Sequence, residues 1–269
     1  AGGYSTYSNE LTVKTKPVPV AVTDLTTYTP DLIWKGQNDN SWNKTSANWS
    51  GGSEIFTDNS KVLFPELVNT ATISITEPVS IGTLVVNASN DYTLSGSSIS
   101  GVGSVNKTGT GKLSLMSDNN YTGATVLYRG TLELNKIANG GLPSSIGASP
   151  NYDFNLVLKG GKLSYTGASV STDRSIVIEN NPEISIETNG TVLTQNGIIT
   201  GTGSLTKSGA GTLLSKNINT YDGTTTITNG TIEYNGVDNI NASLGAGKSF
   251  VLNGGRLKTS GGSTTNYEN

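Results

Sequence analysis

Five aromatic residues and a scatter of acids and arginines are the groups in this sequence that could act on a ligand. Trp34, Trp42 and Trp49 are its three tryptophans, and Tyr121 and Tyr221 stand one hundred residues apart, each just ahead of a turn glycine in Tyr121-Thr-Gly123 and Tyr221-Asp-Gly223. Rings with an apolar face and a polar edge stack on sugars at binding surfaces, and they equally well pack over corner backbone or close the end of a fold. For these five residues the sequence leaves both readings open, ligand platform and structural packing.

Catalysis would need more. A calcium-dependent polysaccharide lyase requires clustered carboxylates and an Arg or Lys as base, and a glycosidase requires two carboxylates roughly 5–10 Å apart. The arginines are Arg129, Arg174 and Arg256, and no Asp-Asp or Asp-x-Asp pair lies near them in sequence. Asp153, Asp173, Glu179, Glu183 and Glu187 are the candidate acids. They read equally as ordinary surface acids, so no catalytic set is expected and the chain is read as a non-enzyme. Asn38-Asp-Asn40, Asp58-Asn59 and Asp118-Asn-Asn120 offer oxygen ligands for calcium. None has a calcium-loop spacing, and Asn and Asp are also the usual turn residues. No other cofactor is expected.

The elements that would position such groups follow from composition. The 269 residues are 33% hydrophobic and include 34 glycines, with a net charge of -3 and no cysteine or histidine. Low net charge argues against disorder, and the missing histidine removes the usual general base near neutral pH. Without a basic stripe, nucleic acid is not an expected partner. No apolar run reaches the ~18 residues of a membrane span, so insertion of this segment in a membrane is not expected. Short alternating runs such as Ala71-Thr-Ile-Ser-Ile75 and Ser175-Ile-Val-Ile-Glu179 read as half-buried strands. Ile73, Ile75, Val79, Ile81, Leu84 and Val86 form one set of inward positions, and Ile176, Ile178, Ile184, Ile186, Val192 and Leu193 form another. No stretch carries helical spacing.

The dominant pattern is a repetition. Gly101-Val-Gly-Ser-Val-Asn-Lys-Thr-Gly-Thr-Gly-Lys-Leu113 returns as Gly201-Thr-Gly-Ser-Leu-Thr-Lys-Ser-Gly-Ala-Gly-Thr-Leu213, and the match runs on to Asn135 and Asn235. Fixed-period self-similarity predicts a stacked architecture. With strands this short and no crossover helices, the expected fold is all-β, a right-handed parallel β-helix with an irregular Trp-rich N-terminal cap. Glycines 101, 103, 109, 111 and 123 are expected to supply positive φ at tight corners. Leu113, Leu115, Val126 and Leu132 are expected in the core, matched by Leu213, Ile227 and Ile232. Gly101 and Gly201 are expected to mark matching corners of the helix.

These residues resemble the passenger-associated transport repeat, also called the autotransporter-associated β-strand repeat. The copy at 101–135 departs mildly from the one at 201–235, with Lys112 for Thr212 and Tyr128-Arg129 for Thr228-Asn229. The block from Trp34 to Trp49 is similar to the segment that opens such passengers. The resemblance implies a β-helical segment of a secreted or surface bacterial protein, in a family whose hosts range from adhesins to hydrolases. Residues 1–16 resemble the end of a fibronectin type III domain and read equally as an edge strand. Residues 17–30 are then a linker, and residues 31–269 the β-helix.

The functional expectation is a non-catalytic, extracellular module of a multidomain bacterial protein, monomeric and flanked by neighbouring domains. It binds polysaccharide or acts as a spacer within a polysaccharide-degrading enzyme. The alternative is an autotransporter-type passenger or adhesin stalk mediating surface attachment, and a third reading is a β-helical polysaccharide lyase.

Overall fold

A computed structural model describes residues 27–67, 71–235, 249–260 and 266–267. The fibronectin-like segment and all of the linker but its last four residues lie outside the described residues. From Leu32 onward the chain winds as a parallel β-solenoid. Strands from successive turns pair in register along three sides, and no α-helix occurs among the described residues.

One turn shows how the sequence closes. Ser60–Phe64 lies on the first side, Ala71–Ile75 on the second, and Val79–Val86 bends from the third side back onto the first. Alternation decides what faces in: Ala71, Ile73 and Ile75 are buried, while Thr72 and Ser74 face water. On the first side the register runs from Val62 to Leu84, Val105 and Thr125, steps of 22, 21 and 20 residues. The next step, from Thr125 to Leu156, is 31 residues. The surplus is an excursion, residues 136–155, that leaves the third side and ends in a short 3-10 turn at Asp153–Asn155.

Register stacks like on like. The second side carries the inward ladder Ile73, Leu94, Leu115, Leu134, Tyr165 and Ile186. The third side carries Leu193, Leu213, Ile232 and Leu257. The expected core residues are buried, with two departures. Val192 is half-buried because Leu193 and Gln195 take the inward phase of its strand. Val126, although buried, lies on the opposite phase from the inward Leu127 and outside the core cluster. The corner glycines act differently from expectation. Of positions 101, 103, 109, 111 and 123, only Gly101 has positive φ, at 102°. At Gly123 a Cβ would stand 2.2 Å from the Gly103 carbonyl oxygen, so the absence of a side chain serves close stacking of one turn on the next.

The N-terminal end turns back on itself. Leu32–Trp34 pairs antiparallel with Trp49–Gly51 on one edge and parallel with Ser60–Phe64 on the other. Trp34, Trp42, Trp49, Phe56 and Phe64 pack there as a cluster, with Trp34 and Trp49 edge-to-face at 5.1 Å and Trp34 stacked on Phe64 at 5.5 Å. The three indole N–H groups are buried without a hydrogen-bond partner. Each orphaned N–H costs about 1–3 kcal/mol, whereas burying an aromatic ring contributes roughly 4–6 kcal/mol at ~25 cal/mol per Å². Packing wins, and the first turn is sealed from water.

Candidate functional site

The structure places all five sequence-predicted aromatics inside the solenoid. Trp34, Trp42, Tyr121 and Tyr221 are 0% exposed and Trp49 is 1% exposed. None offers a face to a sugar, which corrects the platform reading: the tryptophans form the cap, and the tyrosines pack under the corners. Burial raises the Tyr121 phenol above its ordinary value and pushes that of Tyr221 up to about 12.

The candidate acids Asp173, Glu179, Glu183 and Glu187 are committed to neighbouring turns. Lys162 lies 3.4 Å from Glu183 and 3.1 Å from Glu187. Burial disfavours the Glu187 carboxylate, but the Ser164 hydroxyl, which donates to it at 2.6 Å, and the Lys162 ammonium help to outweigh burial and hold its pKa below the ordinary value. A general acid needs the opposite shift. Glu179 pairs with Lys159 at 3.2 Å, and Asp173 accepts the Gly140 N–H at 2.7 Å. The calcium-like turns are similarly engaged. Asp39 accepts from Asn48 and Ser41, Asp58 pairs with Lys44, and Asp118 pairs with Lys136. No three His, Cys, Asp or Glu side chains converge among the described residues.

Arg174 has a structural task that sequence reasoning missed. It is buried and points into the excursion, where its guanidinium donates to the carbonyls of Ala138, Leu142, Gly147 and Ser149 and to the Ser149 hydroxyl at 2.8–3.3 Å. Desolvation lowers its pKa from the usual arginine value. Four inward-turned carbonyls are thereby satisfied by one side chain, and the excursion is fixed to the solenoid.

The two copies of the repeated signature share one internal construction. Lys107 sits in the inward ladder Phe64, Val86, Lys107, Leu127 and Leu158, and Lys207 sits between Ile184 and Ile227. Both are at most 1% exposed. The aliphatic stem replaces a Leu or Ile, and the ammonium turns to the corner carbonyls. Lys107 Nζ donates to Gly109 O and, at 3.4 Å, to Arg129 O. Lys207 Nζ donates to Ser208 O, to Gly209 O at 3.0 Å and to Asn229 O at 3.3 Å. Burial pushes both ammoniums down to about 8. Tyr121 and Tyr221 meet the hydroxyls of Thr125 and Thr225. Asn119 and Asn219 accept the backbone N–H of Ile99 and Ile199 at 2.9 and 2.8 Å.

Yet the copies lie on different sides. In the first, Ser104–Lys107 and Thr125–Leu127 belong to the first side, and Lys112–Leu115 and Thr131–Leu134 to the second. In the second, Leu205–Ser208 and Thr225–Ile227 belong to the second side, and Thr212–Ser215 and Thr231–Asn235 to the third. Gly101 and Gly201 therefore mark successive corners rather than matching ones. The signature is a two-turn clamp that occurs on two different adjacent pairs of sides.

Those boundaries coincide with a known family model, the passenger-associated-transport-repeat, which matches residues 105–134 and 205–233. The chain carries two passenger-associated transport repeats. In each, the matched stretch takes in four strands on two neighbouring sides, with the buried lysine on the first of them. The chain is also 41% identical over 145 residues to the adhesin BmaC autotransporter of Brucella suis biovar 1 (strain 1330). That match spans 53% of this chain and 4% of the relative. No solved structure matches significantly.

The buried lysines were not found from sequence, although a signal was present. In Val105-Asn-Lys107 and Leu205-Thr-Lys207 the lysine keeps the inward period-2 phase of the preceding aliphatic residue.

Proposed function

We propose that this chain is a stretch of the passenger of a bacterial autotransporter adhesin, exposed at the cell surface or released from it, and that its own role is non-catalytic. The observation that carries the reading is the pair of passenger-associated transport repeats in a chain 41% identical over 145 residues to a protein named as an autotransporter adhesin. The geometry suits the role. In-register parallel strands on three sides make a stiff rod that lengthens by about 4.8 Å per turn. Such a rod holds a distal or lateral binding region away from the cell. The tight acid–lysine pairs support a structural task for the carboxylates, and the sealed aromatic core gives the rod coherence without disulfides.

The test is surface labelling and adherence. Antibodies raised against the chain should stain intact bacteria that express the parent protein, and an in-frame deletion of residues 31–269 should lower adherence to host cells or abiotic surfaces. Staining only after permeabilisation would overturn the reading.

A further inference from the structure

The excursion at residues 136–155 is extra chain that the solenoid does not need, and it is fixed in place by a buried arginine. Rigidly held loops on a regular scaffold are where binding groups are presented. This one walls a recess of about 560 Å³ on the edge between the third and first sides. The floor is the corner stack Gly82, Gly103 and Gly123 with the hydroxyls of Thr83 and Ser104 beside it, and the wall is Pro150, Tyr152 and Phe154. Tyr152 is 40% exposed and its ring lies 5.4 Å from that of Phe154. A second recess of about 290 Å³ opens on the other side of Tyr152, so the ring stands as a ridge across this edge.

We infer that the recess between Tyr152 and the Gly82–Gly103–Gly123 corner binds an acidic glycan, with a pyranose ring against the aromatic wall and its carboxylate toward Lys61. A sugar presents apolar C–H faces and hydroxyls together, which matches an aromatic wall over a floor of hydroxyls and backbone. The volume falls within the range of small-molecule sites and admits a short oligosaccharide. Charge selects the acidic class: among the described residues lining this recess Lys61 is the one that is charged at neutral pH, on a chain whose net charge is negative. Asp153 lines the second recess, so the anionic group belongs at the Lys61 end. This deepens the adhesin reading by naming what the passenger grips, and it rests on that reading for its biological setting.

Isothermal titration of the 269-residue chain with hyaluronan and oligogalacturonate fragments, and with neutral xylo-oligosaccharides, tests it. Acidic fragments should bind in preference to neutral ones. Tyr152→Ala should weaken binding about tenfold, the loss of one aromatic contact, and Lys61→Met should abolish the acidic preference, both with unchanged circular dichroism. Silence from every acidic fragment, equal binding of neutral ones, or an unaffected Tyr152→Ala variant would overturn the assignment. Surface staining and adherence with silent titrations would leave the adhesin reading standing and remove the groove. Glycan binding with failed staining would do the reverse.

Discussion

Lys107 and Lys207 hold the same place in two copies of one signature and lie on different sides of the solenoid. Each replaces an aliphatic residue in an inward ladder, and each ends among the carbonyls of its own corner and of the next turn. The construction is local to two turns. A hundred-residue spacing crosses turns of 20 to 23 residues and one excursion, so the second copy starts one side further round.

The lysines make stability depend on pH in a defined direction. Their folded values are near 8, against an ordinary 10.5. Between those limits the unfolded chain binds protons that the folded chain does not, so each lysine's contribution to stability rises with pH through that window and is flat outside it. Urea unfolding at pH 7.5 and pH 10 should show this rise in the wild type relative to a Lys107→Met/Lys207→Met double variant. Equal pH dependence in the two proteins would contradict the burial of charge.

The tyrosine hydroxyls should be worth the same in both copies, since both donate or accept within a buried pair with a threonine four residues on. Tyr121→Phe and Tyr221→Phe should each destabilise by about 1 kcal/mol, the worth of a buried neutral hydrogen bond. Thermal or urea unfolding measures it. A large difference between the two variants would mean that the side, rather than the clamp, sets the energetics.

Arg174→Ala should release the excursion while the solenoid persists. Removing the guanidinium orphans buried carbonyls at Ala138, Leu142, Gly147 and Ser149, a loss on the order of 3 kcal/mol. Limited proteolysis should then cut within residues 136–151 well before the rest of the chain. Unchanged cleavage kinetics would show that Arg174 is not the anchor.

Two glycines separate steric from conformational demand. At Gly103 a Cβ would lie 2.5 Å from the backbone of Gly82, whereas Gly190 has φ +82° and open space around it. Gly103→Ala should cost more than 2–3 kcal/mol because the clash is with backbone of the previous turn, and Gly190→Ala about 1 kcal/mol from strain alone. Equal losses in unfolding experiments would mean that the turns can separate to admit a methyl group.

Residue order alone is enough to specify the solenoid. Alternation in runs such as residues 71–75, the glycine-punctuated repetition and the absence of helical spacing are local properties, and local properties dictate strand, turn and stacking. It also located the tryptophan cap. The side on which each copy lies was decided only by the tertiary structure, because phase accumulates over every turn and the excursion adds about ten residues to one of them. For Tyr121 and Tyr221 the sequence left platform and packing both open, and the choice fell to packing only once the stacked turns enclosed both rings and paired their hydroxyls with Thr125 and Thr225. Arg174 and Tyr152 gained their roles for the same reason. One is consumed by carbonyls 25 to 36 residues earlier in the chain, and the other is exposed because a loop folded back across a row of glycines, a contact that exists only once the turns are stacked.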